Sequence, residues 1–307
     1  MIVAGCGGNN LGASSDVGEI DYSIIVGRWD VTIYDIQGVY PSWFEIAKDE
    51  DGLHGRFVGR VGHARLVPYV HFDGVRLTLS LPRQYERPHE DLIFVGDVSG
   101  DKIDGRTRSE RGEIVRFRAE RAADLVAEGE PEWGEPINLI RDNLAGWQPR
   151  NTRAKNAWKV EDSLLVNTDS GADLITSQTF RDFKLHLEYK IPKGSNSGIY
   201  LRGRYEVQIE DNYGEEPHSR KAGGVYGFLT PTKMMIKAPG EWNFCDITLI
   251  GRKVTVVLNG ETIIDNKEIP GITGGALNSR ESEPGPLMLQ GDHGKIEFRN
   301  VILTPAK

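Results

Sequence analysis

The chain has 307 residues, of which 38% are hydrophobic, and a formal net charge of −8. Chains longer than roughly 250 residues tend to divide their core, so two domains are expected. Charges of both signs alternate along the sequence with no basic, aromatic-interleaved face, which excludes the electrostatic footprint of nucleic-acid binding. No run approaches the roughly 18 apolar residues of a membrane-spanning helix. The two cysteines, Cys6 and Cys245, lie in unrelated contexts and make no disulfide framework.

Residues 1–22 open with Val3-Ala4-Gly5-Cys6, the pattern of a bacterial lipobox, followed by a Gly-, Asn- and Ser-rich stretch suited to a tether. This predicts lipidation at Cys6 and a periplasmic or cell-envelope lipoprotein that meets the membrane only through its lipid. An upstream start would supply the charged and apolar segment that should precede the lipobox.

Residues 23–122 alternate apolar and polar residues in about eight short runs, such as Trp29-Asp30-Val31-Thr32-Ile33-Tyr34 and Val75-Arg76-Leu77-Thr78-Leu79-Ser80-Leu81. Period-two alternation broken by turn residues about every ten positions predicts antiparallel strands in a small barrel. Gly27-Arg28-Trp29 at one end and Arg116-Phe117-Arg118 at the other resemble lipocalin-like barrels, in which a first-strand tryptophan packs beneath a last-strand arginine. Residues 123–135, rich in Ala, Glu and Pro, read as a linker.

Residues 136–307 carry a second β pattern. Its strands include Phe183–Tyr189, Gly198–Arg202, Tyr205–Ile209, Ile247–Ile250 and Val254–Leu258, with Asn259-Gly260 as a hairpin turn. Cys245, in the apolar run Phe244-Cys245-Asp246-Ile247, reads as a small buried hydrophobe. Long strands without an amphipathic helix predict two packed sheets, a jelly-roll sandwich. The fold class is therefore all-β, a small antiparallel barrel followed by a sandwich.

Within this second half, Gly194-Ser195-Asn196-Ser197-Gly198-Ile199-Tyr200-Leu201-Arg202, then Tyr205-Glu206-Val207-Gln208-Ile209 and Asp211-Asn212, resembles the central signature of the 3-keto-disaccharide hydrolase family. Further pieces fall in order: Gly146-Trp147, Trp158 to Asp162, Leu174 to Tyr189, Gly240-Glu241-Trp242-Asn243, Leu289-Gln290 with Asp292-His293-Gly294, and Phe298-Arg299-Asn300-Val301. One departure is Glu210, where the family carries an apolar residue. The resemblance implies a concanavalin-like sandwich that cleaves glycosides oxidised to a ketone at C3, the oxidation being supplied by a separate sugar 3-dehydrogenase. Consistent with that division of labour, the chain has no Gly-rich strand-to-helix loop for a dinucleotide and no Gly-x-Ser-x-Gly elbow.

Strand parity sorts the residues without the resemblance, because side chains two apart share a face. Ile199, Leu201, Val207 and Ile209 fall to the inter-sheet core, and Tyr200, Arg202, Glu206 and Gln208 to the open face. Leu185 and Leu187 likewise point inward, leaving His186 and Glu188 on the polar face, while Gln290 turns outward and His293 follows in a Gly-flanked turn. An isolated Arg–Glu pair across strands is often a solvated ion pair of little worth. The concentration of such groups on one face instead fits the polar lining a sugar requires.

Glu206 is the first choice for a base at C2 and Glu188 the reserve, with Arg202 stabilising an enediolate oxygen and His293 as the acid. Tyr200, Gln208, Gln290, His186, Asp211 and Arg299 are the expected substrate contacts. Glu161 and Asp162 read as turn acids, and Trp158 and Trp242 as core. No cofactor is required; Asp211 and Asn212 offer hard oxygen donors, so a divalent metal such as calcium stays open. Alternatives are an ordinary two-carboxylate glycosidase, a non-catalytic sugar-binding module, and a barrel that carries a lipid or other small molecule.

Overall fold

The computed structural model describes residues 20–86, 90–109, 111–125 and 129–307; the lipobox and Cys6 lie outside them. It is all-β: the helical content of the described residues is one 3-10 turn, Tyr22–Ile24.

Nine strands form the first sheet: β1 Gly27–Asp35, β2 Gly38–Asp49, β3 Gly52–Val58, β4 Arg65–Val67, β5 Tyr69–Phe72, β6 Arg76–Leu81, β7 Leu92–Ser99, β8 Lys102–Arg108 and β9 Ile114–Arg121. Their order, β4-β3-β2-β1-β9-β8-β7-β6-β5, is an antiparallel meander in which β1 meets β9 and the edges β4 and β5 are consecutive in the chain. The ninth strand arises because Pro68, which has no N–H to give a ladder, splits one apolar run into β4 and β5. With β3 also lying against β5, the sheet is a nearly closed barrel.

Alternation fills its interior with Trp29, Val31 and Ile33 from β1, Leu77, Leu79 and Leu81 from β6, and Val115, Phe117 and Ala119 from β9. The arginine over the first-strand tryptophan is Arg121 rather than Arg116 or Arg118. Its guanidinium lies 4.2 Å from the Trp29 ring centroid and donates to Val26 O at 2.6 Å and Ile24 O at 2.7 Å. Arg121 is the residue opposite Trp29 in the β1–β9 register, so it reaches the ring, whereas Arg118 projects outward to Asp104 at 2.8 Å.

The remaining strands are β10 Ile137–Asn138, β11 Trp147–Pro149, β12 Trp158–Glu161, β13 Leu164–Asn167, β14 Leu174–Thr176, β15 Phe183–Lys190, β16 Asn196–Leu201, β17 Tyr205–Glu210, β18 Asn243–Ile250, β19 Lys253–Leu258, β20 Glu261–Glu268, β21 Met288–Leu289 and β22 Ile296–Pro305. They make an eight-stranded sheet, β12-β13-β22-β15-β18-β19-β20 with β10 added on β22, and a five-stranded sheet, β11-β14-β21-β16-β17. Leu185 and Leu187 from the first meet Ile199, Leu201, Val207 and Ile209 from the second in one buried cluster. Asn259 and Gly260 join β19 to β20 at φ 52° and 85°, the left-handed pair a two-residue hairpin turn requires.

Candidate active site

The hairpin of β16 and β17 pairs Gly198 with Gln208 and Tyr200 with Glu206. Because alternate residues enter the core, Tyr200, Glu206 and Gln208 all emerge on the opposite face of the five-stranded sheet. There they line a cavity of about 400 Å³ with Asn196, Gln290, Asp292 and His293. Gly198 leaves the space for the Glu206 side chain, since a Cβ at that position would stand 3.0 Å from its Cγ and 3.1 Å from its Cδ. Gly275 does the same for Tyr200, whose hydroxyl donates to Gly274 O at 3.0 Å.

Glu206 is 3% exposed. Burial raises its carboxyl to about 8, opposed by the Tyr200 hydroxyl beside it and by the charge of His293, and reinforced by the carboxylates of Asp173 and Asp292. His293 is shifted upward by its hydrogen bond to Asp292, with desolvation opposing and Glu206 and Asp173 assisting. The site therefore places a buried carboxyl that titrates near neutrality beside a histidine biased toward imidazolium, the pairing of unlike groups expected of proton-transfer chemistry. Gln290 adds a buried Oε1 with no hydrogen-bond partner, and its backbone N–H donates to Gly198 O at 2.9 Å.

Asp173, which the sequence reading passed over, belongs to this electrostatic group. It is raised by burial although it accepts from Gly291 N at 3.0 Å and Arg150 Nη1 at 3.1 Å. Its position directly before β14, whose Leu174-Ile175-Thr176 run forms part of the family-like sequence, is the signal that could have found it.

Several expected site residues lie elsewhere. Arg202 does not share the face of Tyr200: at φ 53° it begins the Arg202-Gly203 turn, and that left-handed step ends strand parity. Its buried guanidinium donates to Tyr205 Oη at 3.0 Å and Gly251 O at 2.8 Å. Tyr205 in turn donates to Glu281 Oε1 at 2.6 Å, and Glu281 pairs with Arg252 at 3.1 Å, so Arg202 belongs to a buried structural network.

Glu188 and His186 are on β15 of the other sheet. Glu188 accepts from Arg299 Nε at 2.6 Å and Asn300 Nδ2 at 2.7 Å, and His186 Nδ1 pairs with Asp246 at 2.7 Å. Desolvation acts to raise Glu188, but those two hydrogen bonds prevail and leave it lowered. Parity was right for each strand; it cannot say which of two sheets a polar face belongs to. Arg299 lies 4.0 Å from the ring centroid of Trp242, which is half-buried between Arg299 and Lys190 rather than in the core. Trp158 is buried, its Nε1 donating to Ala172 O at 2.8 Å.

Asp211 Oδ2 accepts from Gly194 N at 2.8 Å and Asn212 Oδ1 from Ala222 N at 3.1 Å. Among the described residues no three His, Cys, Asp or Glu side chains converge as metal ligands.

A two-sheet β-sandwich with a polar, carboxyl-bearing cavity on one sheet face offers the hydrogen-bonding lining that a polyhydroxylated ligand needs. The profile of the 3-keto-alpha-glucoside-1,2-lyase-like domain matches residues 135–304, more than half of the chain, and the protein belongs to this family. A 3-keto-disaccharide hydrolase of Bacteroides thetaiotaomicron is 24% identical over 156 residues, 39% of this chain and 54% of that protein, so the chain spans about half the length of this curated relative. Two solved structures of candidate glycosyl hydrolases from Parabacteroides distasonis are also similar. One is 29% identical and covers 55% of this chain and 82% of its own at a TM-score of 0.47; the other is 25% identical and covers 55% and 98% at 0.44.

Proposed function

We propose that the protein cleaves 3-keto-glycosides by removing the C2 proton, eliminating the C1 substituent and hydrating the resulting alkene. The observation that carries this reading is the buried Glu206 carboxyl, held at about 8 on the floor of a polar cavity. A ketone at C3 acidifies the proton at C2, and a carboxylate whose own affinity for protons has been raised is a stronger base toward it. His293, biased toward its protonated form by Asp292, is the acid for the departing oxygen at C1. Tyr200, Gln208 and Gln290 are the hydrogen-bonding groups for the sugar; the unpartnered Gln290 Oε1 is an acceptor suited to a hydroxyl. With Arg202 removed from the face, the enediolate oxygen is assigned to the amide N–H donors of Gln208, whose Oε1 already accepts from Ile209 N, rather than to a guanidinium.

The ordinary two-carboxylate mechanism loses its expected pair, because Glu188 and Glu206 belong to different sheets. Elimination needs no redox cofactor in this chain, since a separate dehydrogenase class must already have made the ketone. An extracytoplasmic lipoprotein anchored through Cys6 remains the proposed setting, supported by the Val3–Cys6 pattern alone.

The test offers the purified protein a panel of 3-keto-glycosides beside their unoxidised parents. Cleavage restricted to the keto compounds, and lost in Glu206→Gln, is the expected result. Equal cleavage of the parents would return the reading to direct displacement at C1, and binding of sugars without cleavage would make the protein a carbohydrate-binding module.

A further inference from the structure

The sandwich does not enclose the cavity alone. One wall comes from the barrel: Val61 and Gly62, in the segment between β3 and β4, and Tyr85, in the segment between β6 and β7. The described residues of these segments are held by direct contacts. Gly275 N donates to Arg60 O at 2.9 Å, and the backbones touch so closely that a Cβ at Gly274 would lie 2.7 Å from Gly62 N. The Tyr85 ring rests on Gly62, where φ is +88° and a Cβ would stand 2.7 Å from the ring. Glu86 secures the second segment by pairing with Arg65 at 2.6 Å and accepting from Gln84 N at 2.7 Å. Beneath them, Trp43 and Val58 of the barrel pack within the sandwich's own hydrophobic cluster, with Trp43 edge-on to Phe228 at 5.4 Å between centroids. The barrel wall is a built part of the site.

Its chemistry differs from that of the floor. The floor carries Glu206, Gln208, Gln290 and His293, which can satisfy the hydroxyls of one sugar ring. The wall presents Val61, 47% exposed, and the ring of Tyr85, 61% exposed, and the half-buried Tyr226 of the sandwich lines the same cavity. With C2 at Glu206 and the C1 oxygen at His293, the substituent beyond that oxygen leaves the floor, and on the barrel side of the cavity it meets Val61, Gly62 and Tyr85. A second sugar placed there would lose hydration at hydroxyls that Val61 cannot repay. A planar ring would cover Tyr85 face to face or edge to face.

We infer that Val61 and Tyr85 of the barrel, with Tyr226 of the sandwich, form the leaving-group subsite, and that it selects planar aromatic leaving groups over a second sugar. This rests on the cleavage reading above and specifies the substrate class within it.

The experiment compares the full chain with Tyr85→Ala on two substrates sharing the same 3-keto-glucosyl part, a nitrophenyl 3-keto-glucoside and a 3-keto-disaccharide. Taking each mutant rate relative to its own wild-type rate cancels the intrinsic reactivity of the two leaving groups. Loss of the ring should lower kcat/KM for the aryl substrate about tenfold, chiefly through KM, and change the disaccharide by less than about twofold. Tyr85→Phe should restore the aryl value, because the ring rather than the hydroxyl makes the contact. Equal losses on both substrates, or no loss on either, in an enzyme that remains folded and active would overturn the subsite while leaving the cleavage reading intact. A wild-type protein inactive on both substrates would instead remove the cleavage reading, and the subsite with it.

Discussion

Gly198 seats the carboxyl of Glu206. The two residues lie on neighbouring strands, Gly198 opposite Gln208 and Glu206 opposite Tyr200, and the diagonal contact between them is possible only because Gly198 has no side chain. Its backbone is ordinary extended strand, so steric exclusion rather than conformational strain makes glycine necessary here.

Gly198→Ala should therefore act on catalysis more than on the fold. The new methyl displaces the Glu206 carboxyl from its position in the cavity, and displacement of a base by about 1 Å costs on the order of 100-fold in rate. The expected outcome is a large fall in kcat for a 3-keto-glycoside with a melting temperature close to that of the parent. A rate within about threefold of wild type would show that Glu206 is not held where Gly198 allows.

Glu206 also sets a pH dependence of opposite sign for rate and stability. As the base it must be ionised, so kcat/KM should rise with pH toward about 8 and fall again once His293, the acid, loses its proton. Its folded pKa is raised above the unfolded value of 4.5, so between those values the folded state holds a proton the unfolded state has lost, and stability declines as pH rises. Glu206→Gln carries no such proton. Its melting temperature relative to wild type should be unshifted by this group below the unfolded pKa, climb through the interval, and be constant beyond about 8. A gap that is flat across that range would mean that the carboxyl is not buried.

Arg202→Lys separates a structural role from a catalytic one. Its guanidinium is 1% exposed and bridges Tyr205 Oη and Gly251 O, in a network that includes Glu281 and Arg252. Lysine lacks the planar guanidinium that lies 5.1 Å from the Tyr205 ring centroid and is too short to keep both bonds, and loss of a buried charged hydrogen bond costs about 1.5–3 kcal/mol. Chemical denaturation should reveal the loss, while KM and kcat of the folded fraction stay within about twofold of wild type, since Arg202 does not line the cavity. A selective rise in KM without destabilisation would place Arg202 back at the substrate.

Strand parity made most of this site legible, and its failures have definite causes. Tyr200, Glu206 and Gln208 reach the cavity because β16 and β17 are regular hairpin strands, where period two holds over every residue. Arg202 departs because parity ends at the first left-handed residue, and nothing in Leu201-Arg202-Gly203 marks which residue takes that step before the glycine. Glu188 and His186 were assigned the correct kind of face but on the wrong sheet, as parity is local and sheet membership depends on long-range pairing: β15 joins β18 and β22, while β16 joins β17 and β21. Asp173 is part of the site through a loop, and the barrel wall through the docking of a separate sheet, neither of which leaves a periodic trace.

The elimination route makes one demand that displacement at C1 does not. Glu206 takes the proton from C2, the electron pair forms the enediolate with the C3 oxygen, and its collapse expels the C1 oxygen, which receives a proton from His293. Water then adds its oxygen to C1 of the conjugated alkene, and C2 regains a hydrogen from an acid at the site. That hydrogen comes from solvent-exchangeable groups, so reaction in heavy water should deposit deuterium at C2 of the released 3-keto sugar, visible as loss of the C2 proton signal. Buried as it is, Glu206 could return the original proton before exchange, so a second measurement is needed. A substrate carrying deuterium at C2 should be cleaved several-fold more slowly, about three to seven times if proton removal limits the rate, because the bond to that atom breaks in the transition state. Solvent deuterium at C2 would establish removal of that hydrogen, even if a later step limits the rate and hides the isotope effect. Absence of both signals would count against proton abstraction at C2 and favour Glu206 acting directly on C1.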